Sequence, residues 1–173
     1  LSFEEANEKV FLQFPTFSLN CRQLFMATNG FSSSLVYEAN APARAQVLIT
    51  EPIDNLQIQG TVHLDRGYYY FRNINNRILL GGGRNLDIVG ETTTNFGLHP
   101  QIQKQLDQLL NTLILPNQTV KVAQRWSGIM GMGPKKSTLI KPVGKNSYCG
   151  IRLGGMGVAI GTAVGKELAQ FST

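Results

Sequence analysis

The residues richest in chemical implication are Arg152-Leu153-Gly154-Gly155-Met156-Gly157-Val158-Ala159-Ile160-Gly161, where close-set glycines fall between a short apolar strand and a helix. Lacking Cβ atoms, Gly154, Gly155 and Gly157 let main chain approach a ligand closely, and the first free N–H groups of the following helix carry partial positive charge. Such a corner suits a flat or anionic ligand, a dinucleotide foremost. The full dinucleotide fingerprint is missing: Gly155-x-Gly157 runs on to Ile160 and Gly161, and no second strand with an acidic residue about twenty positions on follows before Thr173. The turn is expected to be a secondary contact, with the main diphosphate cradle elsewhere. Gly161-Thr162-Ala163-Val164-Gly165-Lys166 is one residue short of phosphate-loop spacing and continues into Glu167.

Other chemistries find little support. Cys21 and Cys149 are far apart and His63 and His99 are isolated, so no metal site is expected; the cysteines read as a reduced, cytoplasmic thiol pair. No Ser/His/Asp triad or paired-acid motif stands out. The apolar runs are too short and glycine-broken to span a bilayer, and no basic, apolar, small-residue signal peptide opens the chain. The formal charge of +5 gathers towards the C-terminal half, at Lys121, Arg125, Lys135, Lys136, Lys141, Lys145, Arg152 and Lys166. It could serve nucleic acid, a phosphate-bearing cofactor or a carboxylate substrate, or simply be a solvated surface. These cations are dispersed and match no recognition motif, so nucleic acid ranks last among the partners.

The elements that position these residues follow from patterning. With 173 residues, 42% of them hydrophobic, the chain can form one packed domain or one domain plus part of another. Residues 1–10 read as an acidic helical fragment, and the opening on Leu1 suggests an excised segment. Leu24-Phe25-Met26-Ala27 reads as a buried strand entering a turn at Thr28-Asn29-Gly30, and 44–50 as a strand with Ala45, Val47 and Ile49 on one face, stopped by Pro52. Residues 61–64, 67–72 and 77–81 are β-rich and separated by hairpin-favouring residues, so an antiparallel sheet is expected. Leu98, Ile102, Leu106, Leu109, Leu110 and Leu113 recur at helical spacing with Pro100 in the first turn, an amphipathic helix for that sheet. Strand patterns return at 119–126, 128–132, 137–141 and 147–151. A last helix covers 158–171, its Ala159, Ala163 and Gly165 suggesting close packing. The fold class is α+β, a mostly antiparallel sheet with an amphipathic helix on it and a C-terminal helix.

In order, Met26-Ala27-Thr28-Asn29-Gly30, Tyr68-Tyr69-Tyr70-Phe71-Arg72, Leu80-Gly81-Gly82-Gly83, Arg125-Trp126-Ser127-Gly128 and the terminal Gly154-Gly155-Met156-Gly157 helix resemble the C-terminal half of the FAD-dependent oxidoreductases related to D-amino-acid oxidase, glycine oxidase and sarcosine oxidase. The resemblance runs from about Gln23 onward and lies in the order and spacing of the motifs together. It implies three segments: 1–42, a partial FAD-domain strand and turn; 43–142, an antiparallel substrate domain roofing the flavin ring; and 143–173, a strand, glycine turn and helix returning to the FAD domain. It implies FAD contacts from Thr28, Gly30, Gly154, Gly155, Met156 and Gly157. It implies that Tyr69 or Tyr70 binds a substrate carboxylate or shapes the space over the ring, the alternative being tyrosines that only fill the sheet. Arg125 and Gly128 are implied near substrate or flavin; a structural ion pair and a buried indole are the rival reading.

Departures from the pattern qualify this transfer. A substrate-binding arginine of D-amino-acid oxidase, two residues after the glycine matching Gly128, is Met130 here, so carboxylate binding must move or vanish; Arg72, Arg84, Arg125 and Arg152 are the alternatives. The family's Gly-His before the terminal Gly-Gly is Arg152-Leu153, which would set a cation beside the ring and favour an anionic reduced flavin. The activity implied is oxidation of a C–N bond of an amino acid or amine by hydride transfer to FAD. The partners are a small amino-acid or amine substrate and a missing N-terminal FAD-binding segment, without which the chain is expected to be inactive and to bind FAD weakly or not at all. The other classes are an interaction module that self-associates through an apolar face and a basic domain for anions or nucleic acid.

Overall fold

The computed structural model describes residues 1–36 and 41–172; residues 37–40, inside the expected segment 1–42, and Thr173 lie outside the described residues. In chain order its regular elements are β1 (Ser2–Ala6), β2 (Lys9–Gln13), β3 (Ser18–Cys21), β4 (Leu24–Met26), β5 (Ala41–Thr50), β6 (Thr61–Leu64), β7 (Tyr69–Ile74), β8 (Arg77–Gly82), α1 (Pro100–Leu109), β9 (Val122–Met132), β10 (Leu139–Pro142), β11 (Ser147–Ile151) and α2 (Gly157–Ala169). By packing they fall into two compact units, Arg44–Ile129 and Leu1–Ala43 with Met130–Thr173.

In the Arg44–Ile129 unit the strand order is β6-β7-β8-β5-β9. The β6–β7, β7–β8 and β5–β8 pairs are antiparallel, as the turn chemistry predicts. Asn75 and Asn76 take left-handed φ of 49° and 57° between β7 and β8, the conformation that matches a tight hairpin to strand twist. One sheet face sends Leu48, Tyr69, Phe71, Ile78 and Leu80 against Ile102 and Leu106 of α1. Pro100 opens α1 where its missing N–H costs nothing, and a π turn, Leu110–Ile114, extends the helix and adds Leu110 and Ile114 to the same core. This realises the expected amphipathic helix, although Leu98 and Leu113 stay about half exposed.

On β5 Ala45, Val47 and Ile49 share one face as expected, with Val47 buried, while Gln46, Leu48 and Thr50 are buried on the other, where polar Gln46 and Thr50 find internal hydrogen bonds. Two sequence expectations are corrected in this unit. The patterns at 119–126 and 128–132 belong to one strand, β9. The segment expected at 67–72 starts as a strand only at Tyr69, since Tyr68 takes a helical conformation (φ −68°, ψ −24°).

The other unit carries an antiparallel sheet β1-β2-β3 and a sheet β10-β11-β4 in which β4 and β11 run parallel. Residues 1–10 are therefore hairpin rather than helix. Asn7 and Glu8 adopt φ of 50° and 61°, a two-residue turn that pairs Ala6 with Lys9. The core holds Met26, Val36, Cys149 and Ile151, with Phe3, Leu24, Leu35, Leu139 and Val143 around it. Glu5 ties the two sheets together: its carboxylate accepts the Lys145 amide at 2.8 Å and the Asn146 amide at 3.1–3.2 Å. The Ser147 hydroxyl, with those amides, holds its pKa below the ordinary carboxylate value. The fold class is α+β with mostly antiparallel strands, as expected.

Candidate functional site

The glycine turn closes the strand β11. Leu153 N–H donates to Asn29 Oδ1 at 3.1 Å and Gly154 N–H to the Gly131 carbonyl at 3.0 Å. The Asn29 side chain thus joins the Thr28-Asn29-Gly30 turn to the Arg152–Gly157 corner, bringing together two motifs 124 positions apart. Asn29 begins a 3-10 turn, Asn29–Ser34, with φ of 44°, and Gly30 beside it is buried. Within the corner Gly154 takes φ of +58°, which an L side chain rarely adopts. A Cβ on Gly154 or Gly155 would meet nothing nearer than the sulfurs of Met132 at 3.9 Å and Met130 at 3.7 Å.

Past this corner, α2 starts at Gly157. Met156 precedes it outside helical geometry, no side chain caps it among the described residues, and its first turn has no acidic residue. The Ala159 and Ile160 amides donate to the Met156 carbonyl at 2.9 and 3.0 Å, which leaves the Gly157 and Val158 amides for water or a ligand at the positive end of the helix dipole. Gly155 and Met156 are exposed beside them. Such a surface fits an anionic or electron-rich ligand edge; of the residues expected there, Thr28, Gly155 and Met156 are exposed, Gly154 and Gly157 half-buried and Gly30 buried. Arg152 enters the corner with φ of +64° and lays its guanidinium over Gly133, where a Cβ would run into Nε; that Nε is buried without a hydrogen-bond partner among the described residues. The close packing expected from α2's small residues lies elsewhere: Ala159, Ala163 and Gly165 are exposed, while Val164 and Leu168 press on Gly150 of β11, leaving 3.2 and 3.0 Å to a Cβ there.

Tyr69, Tyr70, Arg125 and Gly128 belong to the Arg44–Ile129 unit. Tyr69 points into the core and is 5% exposed; burial foremost, with the Asp65 charge, pushes its phenol pKa up against an opposing hydrogen bond from Asn85. Tyr70 projects from the opposite sheet face and lies across Gly81, where any Cβ would strike its ring. Its pKa is also raised, by burial, against the nearby charge of Arg72. Gly128 is half-buried in β9 with open space where a Cβ would stand.

Arg125 turns to the α1 side of the sheet. Nη1 donates to Gln103 Oε1 at 2.7 Å and Nη2 to Asp107 Oδ1 at 2.6 Å. It is the end of a polar chain that sequence reading missed. Arg44 pairs with the fully buried Glu91 at 2.6 Å; Gln46 donates to Glu91 at 3.0 Å; Gln103 donates to Gln46 at 3.1 Å and accepts from Arg125. Charge-assisted bonds to Glu91 raise the Arg44 pKa. The chain fastens the irregular stretch 87–99 to β5 and α1, aided by Gly97 N–H on Ser127 Oγ at 3.0 Å. In the same stretch Asp87 meets His99 Nε2 at 3.0 Å, and the Gly90 amide, then His99, hold the Asp87 pKa down.

Thr28, Gly30, Arg152, Gly154, Gly155, Met156 and Gly157 thus gather around one corner of one unit. Within the other, Tyr70 and Arg125 occupy opposite sheet faces. Among the described residues no group of three or more His, Cys, Asp or Glu side chains could hold a metal, and no helix is long and apolar enough to cross a membrane.

The family model described as DAO, FAD dependent oxidoreductase, matches residues 4–171. Among solved structures, L-proline dehydrogenase from P. horikoshii is similar to the whole chain with a TM-score of 0.80 and 16% identity, the chain covering 48% of that protein. Iminodiacetate oxidase from Chelativorans sp. gives 0.79 and 14% identity over 97% of this chain and 47% of that one. Glycine oxidase from Bacillus cereus gives 0.79 and 13% over 98% and 48%. No curated protein sequence matches. The chain therefore shares the fold of these enzymes and spans about half their length.

Proposed function

Since the chain belongs to the family of FAD dependent oxidoreductases, we propose that it forms part of an enzyme that oxidises the C–N bond of an amino acid or amine, working in a reduced, cytoplasmic setting. The observation that carries this reading is the open corner at Gly154 and Gly155 facing an uncapped α2 terminus. FAD, when bound, supplies the hydride acceptor. The chain's own residues supply orientation and charge. The leading amides of α2 stabilise negative charge gathered at the cofactor edge, as preorganised donors do without reorganising. Arg152 adds a cation at the same corner. The outer face of the β6-β7-β8-β5-β9 sheet, with Tyr70 flattened over Gly81, shapes a water-poor wall against which a small substrate is held. Tyr70 is the tyrosine placed for this; Tyr69 and Arg125 act as frame.

These 173 residues contain no Gly-x-Gly-x-x-Gly strand, so diphosphate and ribose contacts come from a separate segment, and the 173 residues alone are inactive and bind FAD weakly. The test is anaerobic mixing of the full-length protein with a panel of amino acids and amines. Bleaching of flavin absorbance by at least one of them is expected. A flavin that none of them reduces counts against the reading. Calorimetry showing micromolar FAD binding by the 173 residues alone would count against the division of labour.

A further inference from the structure

We propose that a cleft at the opposite end of the β4–β11 pair from the glycine corner binds a nucleoside monophosphate. The two strands belong to one unit and run parallel. Thr28 and the Arg152–Gly157 turn follow their C-terminal ends, whereas Arg22 and Lys145-Asn146 precede their N-terminal ends. At that second end Glu8, Arg22, Gln23, Phe25, Lys145 and Asn146 line an open cavity of about 520 Å³, a size typical of small-molecule sites. Glu8, Arg22 and Lys145 are exposed, and no hydrogen bond or ion pair among the described residues occupies their charged groups. Two unpaired cations lining one space suit a phosphate, the guanidinium as a fork and the ammonium as a point charge.

The aromatic residue in the cleft is the end of a stack. Phe25 lies 5.3 Å from Tyr148 with the rings inclined by 22°, and Tyr148 lies 4.9 Å from Phe171 at 19°. Tyr148 is the middle ring; Phe25 reaches the cavity and is 37% exposed. A flat base laid on Phe25 continues the stack, and every base has a π face to offer. The stack is fastened at its back, where Gln23 Nε2 donates to the Phe171 carbonyl at 3.1 Å. The turn that carries Lys145 is fixed as well: its Lys145 and Asn146 amides bind Glu5, and the Asn146 carbonyl accepts the Leu24 amide at 2.9 Å. Little ordering is left for a ligand to impose on the backbone. Glu8 separates a nucleotide from a simple anion, because a carboxylate disfavours further negative charge but accepts hydrogen bonds from ribose hydroxyls.

The test is calorimetric titration of the full-length protein, loaded with FAD and freed of excess, with AMP, GMP and UMP; adenosine and inorganic phosphate probe the two halves of the ligand. At least one nucleotide is expected to bind about tenfold or more tighter than either half, without releasing flavin. Arg22→Met is expected to weaken that nucleotide about tenfold and Phe25→Leu about fivefold, while Lys9→Met, which removes a charge outside the cleft, stays within about twofold. Unchanged thermal midpoints show that the variants fold; if Phe25→Leu does not fold, Arg22→Met and Lys145→Met decide. No nucleotide binding, phosphate or adenosine binding as tightly as the nucleotide, displacement of FAD by the nucleotide, or cleft variants that bind like the parent overturns the proposal. A protein that retains no flavin yet binds a nucleotide through Arg22 keeps this proposal and sinks the oxidoreductase reading; a substrate-reduced flavoprotein that binds none does the reverse.

Discussion

In the Arg44–Ile129 unit the polar side chains are largely bound to one another, whereas at the glycine turn of the other unit the groups left open are main-chain amides. Arg44, Glu91, Gln46, Gln103, Arg125 and Asp107 form one continuous chain of hydrogen bonds. Around Gly154 and Gly155 no such chain closes over the α2 terminus, and a Cβ would find space. The difference separates a self-satisfied frame from an open main-chain surface: charged side chains can be wholly occupied within the fold, and a glycine corner can leave polar groups unoccupied.

The strongest way to break the comparison is to cut the frame at Glu91. Glu91→Ala leaves Arg44 facing an empty carboxylate site, and the loss should be about 3–5 kcal/mol in urea unfolding; a loss below about 1 kcal/mol would show that water replaces the network freely. Next, Leu168→Ala removes the buried residue that seats α2 on Gly150 and should cost about 2–4 kcal/mol. If the corner is the ligand surface, it should also release flavin from the full-length protein, read as free flavin fluorescence. Arg125→Met should cost only about 1 kcal/mol, because its ion pair with Asp107 is partly exposed at 27% and 40%. It should leave substrate KM within twofold; a tenfold rise in KM would move Arg125 from frame to site.

The smallest effect concerns pH. The folded pKa of Asp87 is held below the ordinary aspartate value, so its ionised form stabilises the fold at pH above that value. The contribution disappears as pH falls through the lowered pKa. Asp87→Asn should therefore reduce stability at neutral pH and flatten the thermal midpoint's decline between about pH 5 and pH 2. A mutant whose acid profile superimposes on the parent's would remove Asp87 from the frame.

Much of the scaffold was legible in the sequence because its signals are local. Asn75-Asn76 announces a hairpin, and Ile102, Leu106 and Leu110 announce a helix face. The misreading of residues 1–10 has a local cause too: Glu4, Glu5 and Glu8 suggested an acidic helix, while the turn preference of Asn7 went unused. The open corner was legible from its glycines. Its fastening by Asn29 was not, since donor and acceptor are 124 positions apart, and neither was the Glu91 network, whose links span 45 and 57 positions between residues that look like ordinary surface polar groups. Burial, not residue type, makes Glu91 and Gln46 different from the glutamates and glutamines around them.

The most direct measurement is an FAD titration of the full-length protein and its Gly155→Val variant, followed by flavin absorbance and protein thermal stability. The open corner predicts that the parent binds FAD and that valine, filling the space now bounded by Met130, weakens binding at least tenfold, about 1.4 kcal/mol, while the folded protein survives. A parent that takes up no FAD, or a variant that binds it as tightly as the parent, would contradict the account.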